Sequence, residues 1–169
     1  KRQNLYSYVV NPFKPDAYFD FDLFKKHVAL AQRIMDDIID LELEKIERIM
    51  AKIDSDPENE DVKHTESVLW QKIYKKSGQG RRTGVGITAE GDMLAALGLR
   101  YGTEEATEFA EKVHQTVALS AYRSSVEMAK ERGAFEVYDS EREKNNPFIN
   151  RLREADPEPV SYTHLRAHE

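Results

Sequence analysis

Cysteine is absent from all 169 residues, so the chain makes no disulfide and offers no thiol nucleophile, thiyl radical or thiolate metal ligand. No apolar run approaches the ~18 residues of a membrane-spanning helix, and Lys1-Arg2 is not followed by the apolar stretch of a secretory signal. A soluble, cytoplasmic setting without a membrane partner is the expectation. Basic residues are in deficit: 25 Lys and Arg against 31 Asp and Glu leave a formal charge of −6, which excludes sequence-blind attraction to nucleic acid. The chain starts at Lys1 and runs at once into the apolar Leu5-Tyr6-Ser7-Tyr8-Val9-Val10, as expected of a cut through a longer protein. With 40% hydrophobic residues, it has material for one domain with a modest core.

What is present is organised around Gly80-Arg81-Arg82-Thr83-Gly84-Val85-Gly86-Ile87-Thr88 and the short helical stretch ending at Gly98. Gly84 and Gly86 around Val85 predict a strand pressed against other backbone or a ligand, with Thr88 capping the helix that follows. The glycines do not make a phosphate loop. Ala89 stands where G-x-G-x-x-G needs its third glycine, and no Lys-Ser or Lys-Thr follows Gly91.

Upstream, Asn11-Pro12-Phe13-Lys14-Pro15-Asp16 forces a turn. A helix capped by Asp22 is expected next, with an apolar stripe through Phe24, Val28, Ala31, Met35 and Ile38. Leu41 to Ile53 predicts a second helix or a bent continuation. Asp56-Pro57-Glu58 predicts a stop and restart into a surface helix ending at Gly78 and anchored through Leu69, Trp70, Ile73 and Tyr74. Thr103 predicts the cap of the longest helix, closed by Arg132-Gly133 and buried along Ala106, Phe109, Ala110, Val113, Val117, Ala121, Ser124 and Met128. Pro147 starts a brief helix to Ala155. The fold expectation is a mainly α fragment of an α/β protein, with strands at Leu5–Val10 and Gly84–Ile87 in parallel or adjacent positions.

Candidate chemistry is sparse. His164 and His168 share a helical i, i+4 spacing but lack a third ligand and the Glu of H-E-x-x-H. His27, His64 and His114 occur singly. Asp36, Asp37, Asp40, Glu42, Glu44 and Glu47, and Glu58, Glu60 and Asp61, read as solvated helix faces, since no paired Glu-x-x-His supports a di-metal centre. Arg81 and Arg82 fit pairing with these acidic faces better than anion binding. Tyr6, Tyr8, Tyr101 and Tyr122 have no spacing that selects them for radical transfer. The residues assign no catalytic, cofactor-binding or metal position.

Several blocks in order carry a resemblance: Asn4-Leu5-Tyr6-Ser7-Tyr8-Val9-Val10-Asn11-Pro12-Phe13, Asp36-Asp37-Ile38-Ile39-Asp40, Arg81-Arg82-Thr83-Gly84-Val85-Gly86-Ile87, Gly91-Asp92-Met93-Leu94, Leu97-Gly98-Leu99-Arg100-Tyr101-Gly102, and Glu131-Arg132-Gly133-Ala134-Phe135. Residues 4–158 resemble the large catalytic subunit of ribonucleotide reductases, and the acidic stretch near Ile53–Glu58 resembles the class II, adenosylcobalamin-dependent branch. The resemblance implies a ten-stranded α/β barrel in which the cofactor generates a thiyl radical that activates a ribonucleotide. It further implies nucleotide effectors, a thioredoxin-type reductant and a role in deoxyribonucleotide supply for DNA replication. It places residues 1–158 inside the barrel domain, with 41–79 a charged helical insertion, between the second reducing cysteine and the loop that holds substrate phosphates. No catalytic position is carried over and no cofactor is expected on this fragment alone. The tail, 159–169, resembles a translated sequencing adapter and is set apart as non-native. The competing expectation is a standalone acidic helical domain that binds a protein partner.

Overall fold

The computed structural model describes residues 2–155. Its elements are β1 (Arg2–Asn4), a 3-10 turn (Leu5–Tyr8), β2 (Val9–Val10), β3 (Tyr18–Phe19), α1 (Phe21–Ser55), α2 (Glu60–Gly80), β4 (Gly86–Thr88), α3 (Glu90–Ala96), α4 (Glu104–Arg132), α5 (Ser140–Lys144) and α6 (Pro147–Ala155). Helix dominates. The described strands form two pairs and no closed barrel. The chain divides into two compact units, one of residues up to Arg33 with Gly84–Met128, the other of Ile34–Thr83 with residues from Ala129 onward.

In the first unit β1 and β4 pair in parallel, with Arg2 opposite Gly86, Gln3 opposite Ile87 and Asn4 opposite Thr88. The expected parallel pairing is therefore present, but its first partner lies upstream of Leu5–Val10. Asn4 is the reason: its side chain accepts from the Tyr6 amide at 3.1 Å, turning the backbone out of the ladder and into the 3-10 turn. Val9–Val10 then extend again and pair antiparallel with Tyr18–Phe19. The loop between them holds Asn11 and Phe13 at positive φ, and the Asn11 amide donates to Asp16 at 2.7 Å.

The core of this unit gathers Leu5, Tyr8, Phe19, Phe24, Val28, Met93, Leu94, Ala106 and Val113. Tyr8 meets the Phe24 ring edge-on at 4.8 Å, and Phe19 meets it at 5.2 Å. Polar atoms inside are paired. The Tyr8 hydroxyl donates to Gln3 Oε1 at 2.8 Å, and the buried Ser124 hydroxyl donates to the Ala29 carbonyl at 2.8 Å, tying α4 to α1.

Asp20, and not Asp22, caps α1, accepting from the Leu23 amide at 2.9 Å. The buried stripe follows expectation through Phe24, Val28 and Ala31, then moves to Ile39, Ile46 and Ile53, leaving Ile38 45% exposed. A straight helix drifts around its axis relative to a short repeat, so the core-facing positions change along 35 residues. Leu41–Ile53 is thus part of α1.

In the second unit, α2 starts later than Pro57. Asn59 caps it, accepting from the Asp61 amide at 2.8 Å. It passes through Gly78 and ends at Gly80, where Arg81 takes the left-handed conformation, φ 39°. The helix buries no residue, as its sparse apolar content predicts.

Gly84 and Gly86 correct a second expectation. A Cβ built at either meets no heavy atom within 4 Å, so close packing does not require glycine there. Nor does Thr88 cap α3: Ala89 occupies that position at φ 61° without a side-chain cap bond. The far end of α3 is tightly specified. Gly98 at φ 75° lets its amide reach the Ala95 carbonyl at 3.1 Å and the Leu99 amide reach the Leu94 carbonyl at 2.9 Å, the paired bonds of a Schellman close. Thr103 caps α4 as expected, accepting from the Ala106 amide at 3.3 Å, and Gly133 ends it at φ 85°.

Candidate functional site

Among the described residues a cluster of ionisable groups lies in the second unit, where α1 carries the adjacent Asp36 and Asp37 and, about one turn on, Asp40. Their carboxylate oxygens come within 4.8 Å of one another. Arg81, held beyond the end of α2 by its left-handed backbone, donates from Nε to Asp36 at 2.8 Å and from Nη1 to Asp40 at 2.7 Å. Its Nη2 also donates to the Asp36 carbonyl at 3.0 Å. Arg132, the last residue of α4, donates from Nη1 to Asp36 at 2.8 Å and to Asp37 at 2.7 Å.

Burial alone raises the Asp36 pKa, but hydrogen bonds and charge from Arg81 and Arg132 outweigh it and hold the carboxyl below its usual range. The hydrogen bonds that Arg81 donates to Asp36 and Asp40 push its pKa the other way, above that of an ordinary guanidinium. Three carboxylates thus face two guanidiniums, which offset all but one of the negative charges. A metal ion would compete with both arginines for these oxygens, and the observed pairing makes the arrangement a clasp joining α1 to the ends of α2 and α4. Pairing of Arg81 with the acidic face matches the sequence expectation. The contribution of Arg132 was legible only as a helix ending, because nothing in sequence brings a residue 96 positions away to Asp36.

Beside the clasp is a cleft of about 650 Å³ lined in part by Ile39, Glu42, Lys76, Ser77, Arg82 and Arg142. Arg82 therefore lies on the cleft while its neighbour Arg81 closes the clasp. Glu42 faces these cations, Arg142 pairs with Asp139 at 3.3 Å, and the α2 C-terminus adds the negative end of its dipole. Charge of both signs meets here, with Lys76, Arg82 and Arg142 outnumbering Glu42 in the lining.

The remaining candidates are scattered. His27 contacts the Tyr8 hydroxyl through Nδ1 at 3.3 Å, His114 lies 3.4 Å from Glu90, and His64 is exposed. Tyr101 is 80% exposed, whereas Tyr8 is buried and its hydroxyl pKa is raised by that burial. Tyr6 and Tyr122 are each partly exposed. Glu47 accepts from the Tyr74 hydroxyl at 2.7 Å, Glu44 approaches Arg48 at 3.9 Å, and Glu58, Glu60 and Asp61 are exposed. His164 and His168, and the 159–169 tail, lie outside the described residues.

The first unit thus pairs two strands in parallel across long helical segments, a mixed α/β arrangement. The family model for the ribonucleotide reductase barrel domain matches residues 3–168, and the chain belongs to that family. A vitamin B12-dependent ribonucleoside-diphosphate reductase of Thermoplasma acidophilum is 31% identical over 142 residues, covering 83% of this chain and 15% of the relative. A Mycobacterium tuberculosis protein of the same name is 26% identical over 127 residues, covering 75% of this chain and 15% of the relative. The chain therefore spans about 15% of the length of these curated relatives. No solved structure matches it. Among the described residues, no helix is long and apolar enough to cross a membrane.

Proposed function

We propose that this sequence works as a segment of catalytic-barrel wall in a ribonucleoside-diphosphate reductase, supplying scaffold and none of the reacting groups. The observation that carries the reading is the β1–β4 pair. Two parallel strands of three residues each do not make a stable sheet alone, and parallel sheets occur with further strands and covering helices. A barrel supplies those neighbours. The family membership and the names of the curated relatives support the same reading.

Adenosylcobalamin is the cofactor proposed for the longer polypeptide, where it would supply radical-generating chemistry. The residues described here do not fit it: the cleft is lined by no histidine that could ligate cobalt, and its ionisable lining is Glu42, Lys76, Arg82 and Arg142. No step is therefore assigned to this chain through that cofactor. Radical reduction also needs a thiol, and this sequence has no cysteine. Substrate, effectors and a thioredoxin-type reductant would accordingly meet other parts of the enzyme, in the cytoplasm.

The test compares this chain with one extended through flanking reductase sequence, each assayed for deoxynucleotide formation with adenosylcobalamin and a dithiol. The extended chain is expected to turn over and this chain is not. Turnover by this chain alone would refute the scaffold role, while an inactive extended chain with every effector would count against ribonucleotide reduction.

A further inference from the structure

We propose that the cleft beside the clasp binds a small phosphorylated polyol, a ligand of the sugar-phosphate class. The inference goes beyond the barrel-segment role and stands on the charge and geometry of the second unit alone. Its described lining, which includes Ile39, Glu42, Lys76, Arg82, Val137 and Arg142, belongs wholly to that unit.

Fixed junctions hold the cleft in shape. Arg81 ties the end of α2 to α1 through Asp36 and Asp40. On another side the Gln79 carbonyl accepts from the Val137 amide at 3.3 Å and Gln79 Nε2 donates to Glu136 at 2.8 Å, so the chain before α5 is fastened to the same helix end. At about 650 Å³ the cleft falls within the ~300–1,000 Å³ of small-molecule sites. A bare inorganic anion would leave most of it to water.

Charge selects the head of the ligand. Among the described residues neither the Lys76 ammonium nor the Arg82 guanidinium has an ion-pair or hydrogen-bond partner, although the chain as a whole carries a formal charge of −6. A Cβ placed at Gly80 would lie 3.8 Å from Arg82 Cγ and Nε, so Arg82 lies back over the end of α2 and offsets the negative end of its dipole. Arg142 adds a third cation to the lining, and its exposed pair with Asp139 is a weak competitor for it. A guanidinium fork with neighbouring cations cradles a phosphate dianion.

Glu42 selects the body. As the single carboxylate of the described lining, it repels a second anionic group and accepts from hydroxyls, while Ile39 and Val137 offer apolar surface to C–H groups. A nucleic acid strand reaching beyond the cleft would meet like charge, since Glu44 and Glu47 follow Glu42 on α1 and are exposed.

The experiment uses the extended reductase polypeptide at constant ionic strength and reads the acetylation rate of Lys76 by mass spectrometry, with Lys25 in the first unit as reference. Because the reading is taken at one residue, phosphate bound elsewhere on the polypeptide does not contribute. Glucose 6-phosphate should slow acetylation of Lys76 several-fold and leave Lys25 unchanged; inorganic phosphate should protect only at higher concentration, and glucose not at all. Arg82→Gln should raise the half-protecting concentration about tenfold, the loss expected for one charged hydrogen bond, and Arg142→Gln should raise it as well. Both side chains are exposed, and Trp70 emission checks that the variants stay folded. Unchanged acetylation of Lys76, protection by inorganic phosphate equal to that by glucose 6-phosphate, stronger protection by a single-stranded oligonucleotide, protection that survives Arg82→Gln undiminished, or a Lys76 that does not react before any probe is added would each overturn the inference.

Discussion

Asp36→Ala is the most direct test of the clasp, because Asp36 alone accepts from both arginines. Its side chain is 13% exposed and that of Arg81 is 22% exposed, so their contact is sheltered beyond an ordinary surface pair. A hydrogen bond between charged groups contributes about 1.5–3 kcal/mol. Arg81 keeps Asp40 and the Asp36 carbonyl after the change, and removing Asp36 also removes the cost of burying its charge. The lower end, about 1.5 kcal/mol, is therefore expected. The Arg132 contact is given no weight, since water screens that guanidinium and Asp37 remains beside it. With a urea slope near ~2 kcal/mol/M, the midpoint should fall by roughly 0.7 M without a change in slope. Trp70, the single tryptophan, lies on α2 in the same unit and reports the transition by fluorescence.

The pH dependence has a definite sign. Asp36 has a lowered pKa in the folded state, so between its folded value and the ordinary ~3.9 the unfolded chain binds the extra proton. The contribution of Asp36 is complete above the unfolded value and is lost as pH falls through the folded one. The gap between wild type and Asp36→Ala should thus be constant from pH 7 to pH 5 and narrow below about pH 4. A loss under about 0.5 kcal/mol at pH 7, the range of an ordinary surface substitution, or a gap that widens with acid, would refute the clasp.

Gly98→Ala should destabilise the chain by about 1 kcal/mol, because an L side chain at φ 75° is strained and the Schellman bonds depend on that conformation; thermal unfolding checks it, and an unchanged midpoint would contradict the assignment. Gly84→Ala and Gly86→Ala should each change stability by less than about 0.5 kcal/mol, since the added methyl meets open space. A loss above 1 kcal/mol in either variant, measured by urea unfolding, would restore the close-packing expectation.

The readable parts of the fold were those set by local chemistry. Thr103, Gly133 and Pro147 marked helix ends because a cap bond, a left-handed residue and a missing amide act within a few residues. The α4 stripe was readable for a similar reason: Ala106, Val113, Ser124 and Met128 recur at helical spacing and are buried. Local signals also competed. Asp22 and Asp20 are both plausible caps by residue type, and only the observed Leu23 bond selects Asp20. Leu5–Val10 has the composition of a strand, yet the Asn4 side chain, accepting from the Tyr6 amide, turns Leu5–Tyr8 into a 3-10 segment and leaves only Val9–Val10 extended.

The clasp shows where sequence reading stops for physical reasons. Asp36, Asp37 and Asp40 look like an exposed acidic face, and Arg81-Arg82 like a basic doublet; neither motif states that one guanidinium turns inward while the next lines a cleft. That choice is made by backbone geometry, because Arg81 adopts φ 39° at the end of α2 and its side chain is thereby aimed at α1. Arg132 reaches the same carboxylate only because α4 ends beside it. The residues that identify the family are thus partly those that join its helices, and family membership does not require this segment to hold a reacting group. The junction holds three helix segments together through paired charges, without adding apolar surface.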